Sequence, residues 1–384
     1  MEIVISKSLI GSDHHLSYDG TDWTWLEGVP EKSVCWGFEN HRDLRSAAES
    51  LHLKVDLFES TPWGRSQSHL VDSISNVRWI DCMPRRVWKK KVTEAARQLW
   101  LNFTCEDNSY YVTTHLRNRE IVWQLSRPYV DVAALRKRMQ SSNDNIKRSL
   151  AKFLPESGDI CPPFKYSLSK SVTGRMTIND GPNILTMKKS DRSIFKSRYS
   201  DGALVEVDLV SAEPRVALSL FGKHVEGDVY EDLIQKGKLN ITRADAKIAT
   251  LSALYGASHH TIKARISEPH RSAEILDLVK DHFGVSHIQN MICDQHKELG
   301  YIKNTHGRKI FSNPPSLNHF IQSSTVDVSF DIFQSLLKLI KDLDVEIMLD
   351  IRLPHLEKLV ESCKSGLYSP TIGANFPVKL KEIQ

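Results

Sequence analysis

The stretch VEVDLVSAEPRVALSL, residues 205 to 220, changes its hydrophobic period within a few residues. Its first half alternates apolar and acidic side chains, the period of two that marks a half-buried strand, and its second half takes helical spacing and carries Glu213 and Arg215. Asp208 stands at the switch, so one carboxylate is placed at a strand end and a second, Glu213, just inside the helix that follows. The fold must therefore hold a sheet strand that turns straight into a helix.

Elements of both kinds flank this junction. VDVAALRKRMQSSNDNIKRSLAKFL (130 to 154) has helical spacing with many cations, and SGDICPPFKYSLS then breaks it. Beyond residue 220 the pattern predicts two helical blocks between 228 and 300, a basic turn (THGRKIF), a long helix from 317, and a strand, VEIMLDIRL. The order is mixed α+β. At 384 residues the chain is long enough for two or three subdomains.

One boundary is visible in composition: all eight tryptophans lie in the first 123 residues. This sets off an N-terminal module over residues 1 to 125, expected to be a small α+β domain with turns such as SYDGTDW and a strand over NSYYVTTHL. Within it PRRVWKKK (84 to 91) joins five cations to Trp88. Such a patch either holds phosphates while the ring stacks on a base, or is a solvated basic helix face with the ring buried beneath.

Charge and cysteine narrow the class. With 51 basic and 47 acidic residues the net charge of +4 neither requires nor excludes a polyanionic partner. Six scattered cysteines without a CxxC pair, and no apolar leader, point to a reduced cytoplasmic protein. No stretch approaches the roughly 20 apolar residues that span a bilayer. His282, His287, Cys293 and His296 do not fit a zinc spacing and read as polar helix faces.

Four constellations carry chemistry. If the strands of Asp208 and Asp350 are antiparallel neighbours, the two carboxylates can lie side by side and hold a pair of magnesium ions; otherwise they are ordinary strand-end acids. In RADAKIATLSALYG, Arg243, Lys247, Leu251 and Tyr255 recur every four residues, drifting about 40° per step along a stripe roughly 18 Å long. The cationic half suits a triphosphate and the apolar and aromatic half a base. Arg175 follows a glycine in a Thr-Gly-Arg turn, and Arg308 sits in HGRKIF ahead of a helix bearing Asn318 and Gln322 one turn apart, amides able to reach base edges or sugars.

The order and spacing of these segments resemble the polymerase core of family A DNA polymerases over about residues 165 to 360. DLVSAEPR is similar to that family's first core motif, Asp-Tyr-Ser-Gln-Ile-Glu-Leu-Arg, keeping its Asp, Glu and Arg as Asp208, Glu213 and Arg215. The fingers motif, Arg-x3-Lys-x3-Phe/Tyr-x3-Tyr-Gly, is matched by Arg243, Lys247, Tyr255 and Gly256, with Leu251 at the aromatic position. Thr-Gly-Arg at 173 to 175, Gly-Arg-Lys at 307 to 309, and Asn318 and Gln322 followed by Asp327 resemble further signatures. The third core motif, Val-His-Asp-Glu, appears as Met348, Leu349, Asp350 and Ile351.

The resemblance implies a right-hand α+β core with thumb near 126 to 165, palm near 166 to 235 and 305 to 384, and fingers near 236 to 304. It implies a template-directed DNA polymerase acting on primer-template DNA and dNTPs, in replication or repair, with Mg2+ on Asp208, Asp350 and the backbone carbonyl of Leu209. Arg243 and Lys247 would grip the triphosphate, Leu251 and Tyr255 face the base, Glu213 exclude a ribose 2′-hydroxyl, and Arg175, Arg308, Asn318 and Gln322 contact DNA. The N-terminal module is too short for a proofreading exonuclease and is a place for a processivity or replication partner. Two alternatives are a single-subunit RNA polymerase, against which Glu213 speaks, and a primer-template-binding protein without catalysis, which Leu349 and Ile351 favour.

Overall fold

A computed structural model describes the chain apart from residues 56–61, 68, 70–76, 341–344, 347–349 and 383–384. It divides into two compact units, Met1–Trp123 with His306–Arg308, and Gln124–Thr305 with Lys309–Gln384. Among the described residues no helix is long and apolar enough to cross a membrane.

The first unit is built on strands β1 (Glu2–Ile5), β2 (His15–Tyr18), β3 (Trp23–Leu26) and β4 (Ser33–Trp36), in the order β3-β2-β1-β4. β1 runs antiparallel to β2 and parallel to β4. The apolar runs of β1 and β4 are buried on both faces, as a parallel pair requires, whereas β3 is an edge strand that leaves Trp25 exposed. The unit's two long helices are α1 (Arg85–Thr104) and α2 (Glu106–Trp123). Trp88, Val92, Ala96, Leu99 and Phe103 form the buried stripe of α1, so the cations of PRRVWKKK are a solvated face and Trp88 lies beneath it.

The strand expected over NSYYVTTHL is instead part of α2. Its buried residues include Asn108, Tyr111, Val112, His115, Asn118 and Ile121, a spacing of three and four that outweighs the β propensity of its valine, threonines and tyrosines.

The centre of the second unit is an antiparallel sheet of β5 (Gly202–Leu209), β6 (Val345–Glu346), β7 (Asp350–Arg352) and β8 (Val378–Glu382), ordered β6-β7-β5-β8. β5 passes into α3 (Ala212–Leu220). After it come α4 (Val229–Gly237), α5 (Arg243–Leu254), α6 (Ser272–His282) and α7 (Val285–Leu299), packed around Ala246, Ala249, Leu254, Ile275, Phe283 and Ile288. Helix α8 (Leu317–Ile340) joins two cores: Leu317, Phe320 and Ile321 belong to the helical one, and Val328, Ile332 and Leu336 pack with Val205 and Val216 at the sheet.

Gly284, between α6 and α7, has φ +64°, and a Cβ there would fall 2.3 Å from Cγ of Phe221. Gly300, at the end of α7, has φ +76° with open space around it. Urea denaturation should therefore show Gly300→Ala destabilising the protein by about 1 kcal/mol and Gly284→Ala by clearly more, about 2 to 3 kcal/mol.

Candidate functional site

The site grows from the turn between β5 and α3. Val210 donates its backbone N–H to the carbonyl of Pro377 at 2.9 Å, and Ser211 takes a left-handed conformation, φ 54°, which a β-carbon disfavours. What holds this turn is Arg215. Its guanidinium, 7% exposed, donates to the carbonyls of Val210 (3.0 Å), Val225 (2.5 Å) and Gly227 (2.6 Å), closing the turn on the segment before α4. Burial lowers its pKa, and an arginine remains charged regardless.

This geometry opens a cleft of about 530 Å³ that brings together Asp208, Glu213, Arg243, Lys247, Leu251 and Lys379. Asp208 is exposed at the end of β5, across the ladder from Lys379, and Leu209 pairs with Val378. Ala246, Ala249, Thr250, Ala253 and Leu254 are buried on the far side of α5, which turns Arg243, Lys247 and Leu251 to the cleft as the four-residue spacing predicts.

A second cluster adjoins it. Tyr255 donates its hydroxyl to Oε2 of Glu213 at 2.6 Å, and Arg175 donates to Oε1 at 3.2 Å. Burial, and then the bond to Glu213, raise the Tyr255 pKa, so the phenol keeps its proton and acts as donor. Asn318 lies one turn before Gln322 on α8, with a buried Oδ1 that has no hydrogen-bond partner among the described residues. Three residues far apart in sequence, Arg175, Glu213 and Tyr255, thus form one network.

Arg243 is already engaged. Its Nε and Nη2 donate to Oδ2 of Asp228 at 3.0 and 2.5 Å, and its guanidinium lies 5.1 Å from the centre of the Tyr230 ring. Asp228 and Tyr230 were not foreseen as site residues. The only signal in the sequence is the N-cap aspartate of α4, which accepts from the backbone N–H groups of Tyr230 and Glu231.

Two expectations require correction. The strands of Asp208 and Asp350 are antiparallel neighbours, but their register sets the Asp350 Cα opposite Leu204, four residues before Asp208. That is roughly 13 Å along the strand between backbone positions, so the ladder does not pair the two aspartates directly. Among the described residues no group of three or more acids, histidines or cysteines is arranged to hold a metal, and Lys379 stands opposite Asp208. The side chain of Asp350, together with residues 347–349, lies outside the described residues, and with it the expected magnesium site on Asp208, Asp350 and the Leu209 carbonyl. The second correction is Arg308, which is 4% exposed with its guanidinium 5.2 Å from the Tyr111 ring centre within the first unit, so it is buried and not a surface DNA contact.

No family model and no curated protein matches the sequence. Among solved structures the chain is similar to the POL domain of Pol1 from M. smegmatis, in complex with DNA primer-template and dNTP. The identity is 13%, the TM-score 0.45, and the match covers 90% of this chain and 64% of that one, less than two thirds of its length.

The Arg243 pairing gives a pH signature. Burial pushes the Asp228 carboxyl up, but the hydrogen bonds from Arg243 and from the backbone of Glu231 and Tyr230 outweigh it and hold the pKa below 3.8. The stabilisation is therefore complete above that value and is lost as pH falls through the lower folded-state pKa. Asp228→Asn retains the helix cap but not the ion pair. Thermal melts from pH 6 down to pH 2 should show the mutant lacking the part of the acid-side decline that the wild type shows below about pH 4.

Proposed function

We propose that this chain is a template-directed DNA polymerase of family A type that binds primer-template DNA and a dNTP in the cleft between the β5–α3 turn and α5. The observation that supports this most is the meeting in one cleft of Asp208 and Glu213 with Arg243, Lys247 and Leu251. In this reading residues 126–165 act as thumb, 166–235 and 305–384 as palm, and 236–304 as fingers; the first unit has no proofreading role.

The chain's own residues supply binding and orientation. Lys247, exposed and with no acidic partner among the described residues, offers a point charge to the triphosphate. Arg243 adds a bidentate fork once it exchanges Asp228 for phosphate oxygens. Leu251 presents an apolar surface to the base. Glu213, fixed by Tyr255 and Arg175, stands where it would meet a ribose 2′-hydroxyl, and Tyr255 guards the templating position. Arg175, Asn318 and Gln322 would face the primer-template minor groove. Since the described backbone does not set Asp350 beside Asp208, no chemical step is assigned to a metal pair.

That same register, with Lys379 across from Asp208, favours a second reading, in which the protein binds primer-template and nucleotide without extending the primer. Primer extension with dNTPs and Mg2+ separates the two. The polymerase reading predicts extension, with dNTPs preferred to rNTPs, and a fall in kcat/KM of about 10- to 100-fold for Lys247→Ala, the loss expected for one charge-assisted contact. The second predicts salt-sensitive primer-template binding and no product with any divalent metal. Equal use of rNTPs would point to an RNA polymerase.

A further inference from the structure

The first unit carries a groove of about 450 Å³ between the edge of its sheet and α1, lined by Leu16, Trp23, Trp25, Ile80, Arg85 and Lys89 among others, none of them acidic. Trp25, on edge strand β3, is 56% exposed, and Ile80 is 45% exposed. Trp23 is fixed by its indole N–H, which donates to Oγ1 of Thr93 at 3.2 Å. Arg85 and Lys89 are exposed one helical turn apart, with Arg86 and Lys90 exposed beside them. Trp88 also lines the groove, 5% exposed, and its indole N–H has no hydrogen-bond partner among the described residues.

We propose that this groove is a binding site for single-stranded nucleic acid, in which a base stacks on Trp25 while neighbouring phosphates pair with Arg85 and Lys89. A large exposed ring on a rigid strand gives a stacking platform that every base can use. The acid-free, cationic rim supplies the complementary charge. An acidic peptide would satisfy the cations but leave the face of Trp25 and the apolar lining in water, which is why nucleic acid is the fitting partner. The groove lies wholly in the first unit, so the inference does not rest on the reading of the cleft. The stacking ring is Trp25; Trp88, the aromatic residue within the basic segment itself, is buried.

The test is equilibrium binding of a short oligothymidylate to the full chain, followed across a salt series. Trp25→Ala should weaken binding about tenfold, and Trp25→Phe should recover most of it. The double variant Arg85→Gln, Lys89→Gln should reduce the slope of log K against log salt by about 1.4, two phosphate contacts' worth for a single strand. Lys247→Ala, in the cleft, should leave this binding unchanged. The proposal is overturned if the wild type does not bind, if Trp25→Ala binds like the wild type, if Trp25→Phe binds no better than Trp25→Ala, if polyglutamate competes as well as oligothymidylate, or if only Lys247→Ala loses binding. Trp25 is exposed on an edge strand, and an unchanged urea midpoint for its variants would establish that any loss is not unfolding.

Discussion

The site in the second unit depends on one buried guanidinium. A strand that runs directly into a helix leaves backbone carbonyls at the turn without ladder or helix partners, and buried carbonyls without donors are costly. Arg215 donates to one of these, at Val210, and to two more at Val225 and Gly227. A neutral side chain of similar length could not satisfy all three. This clamp holds Ser211 in its left-handed conformation, and so fixes how far the exposed Asp208 lies from Glu213 on the first turn of α3. The arginine shapes the site without entering it.

Around that fixed turn the charges are arranged in two states of readiness. Arg243 is balanced by Asp228 and stacked on Tyr230. An incoming polyanion must compete with Asp228 for the fork, and nucleotides with too few phosphates to outbid one carboxylate would be discriminated against. Lys247 meets no such competitor among the described residues. Glu213 is held at both oxygens, by Arg175 and Tyr255, so its carboxylate is fixed in position. The cleft therefore has one side preorganised for shape and the other charged for capture.

Much of this was legible because it is local. The change of period at Asp208, the four-residue stripe from Arg243 to Tyr255, and the turn-to-turn pairing of Asn318 with Gln322 follow from backbone geometry within a single element. What the sequence could not show is non-local. The Arg243 to Asp228 bridge spans 15 residues, and the Glu213 to Tyr255 bond spans 42. A four-residue difference in strand register separates adjacent aspartates from distant ones, and composition carries no trace of it. NSYYVTTHL misleads for the opposite reason: its β-forming side chains are locally consistent with a strand, yet burial at helical spacing decides the outcome. Arg308, in a turn that reads as an exposed basic contact, is buried against Tyr111, a residue far away in sequence.

The central claim is that the cleft at Asp208 receives a nucleotide chosen by a template. It is tested most directly without chemistry, by forming a complex with a primer that lacks its 3′-hydroxyl and titrating each of the four dNTPs in turn. The account predicts that the dNTP complementary to the next template base binds at least about tenfold more tightly than the other three, about 1.4 kcal/mol, and that Lys247→Ala weakens the binding of all four by about 10- to 100-fold. Equal binding of the four, or tight binding that survives Lys247→Ala, would contradict it.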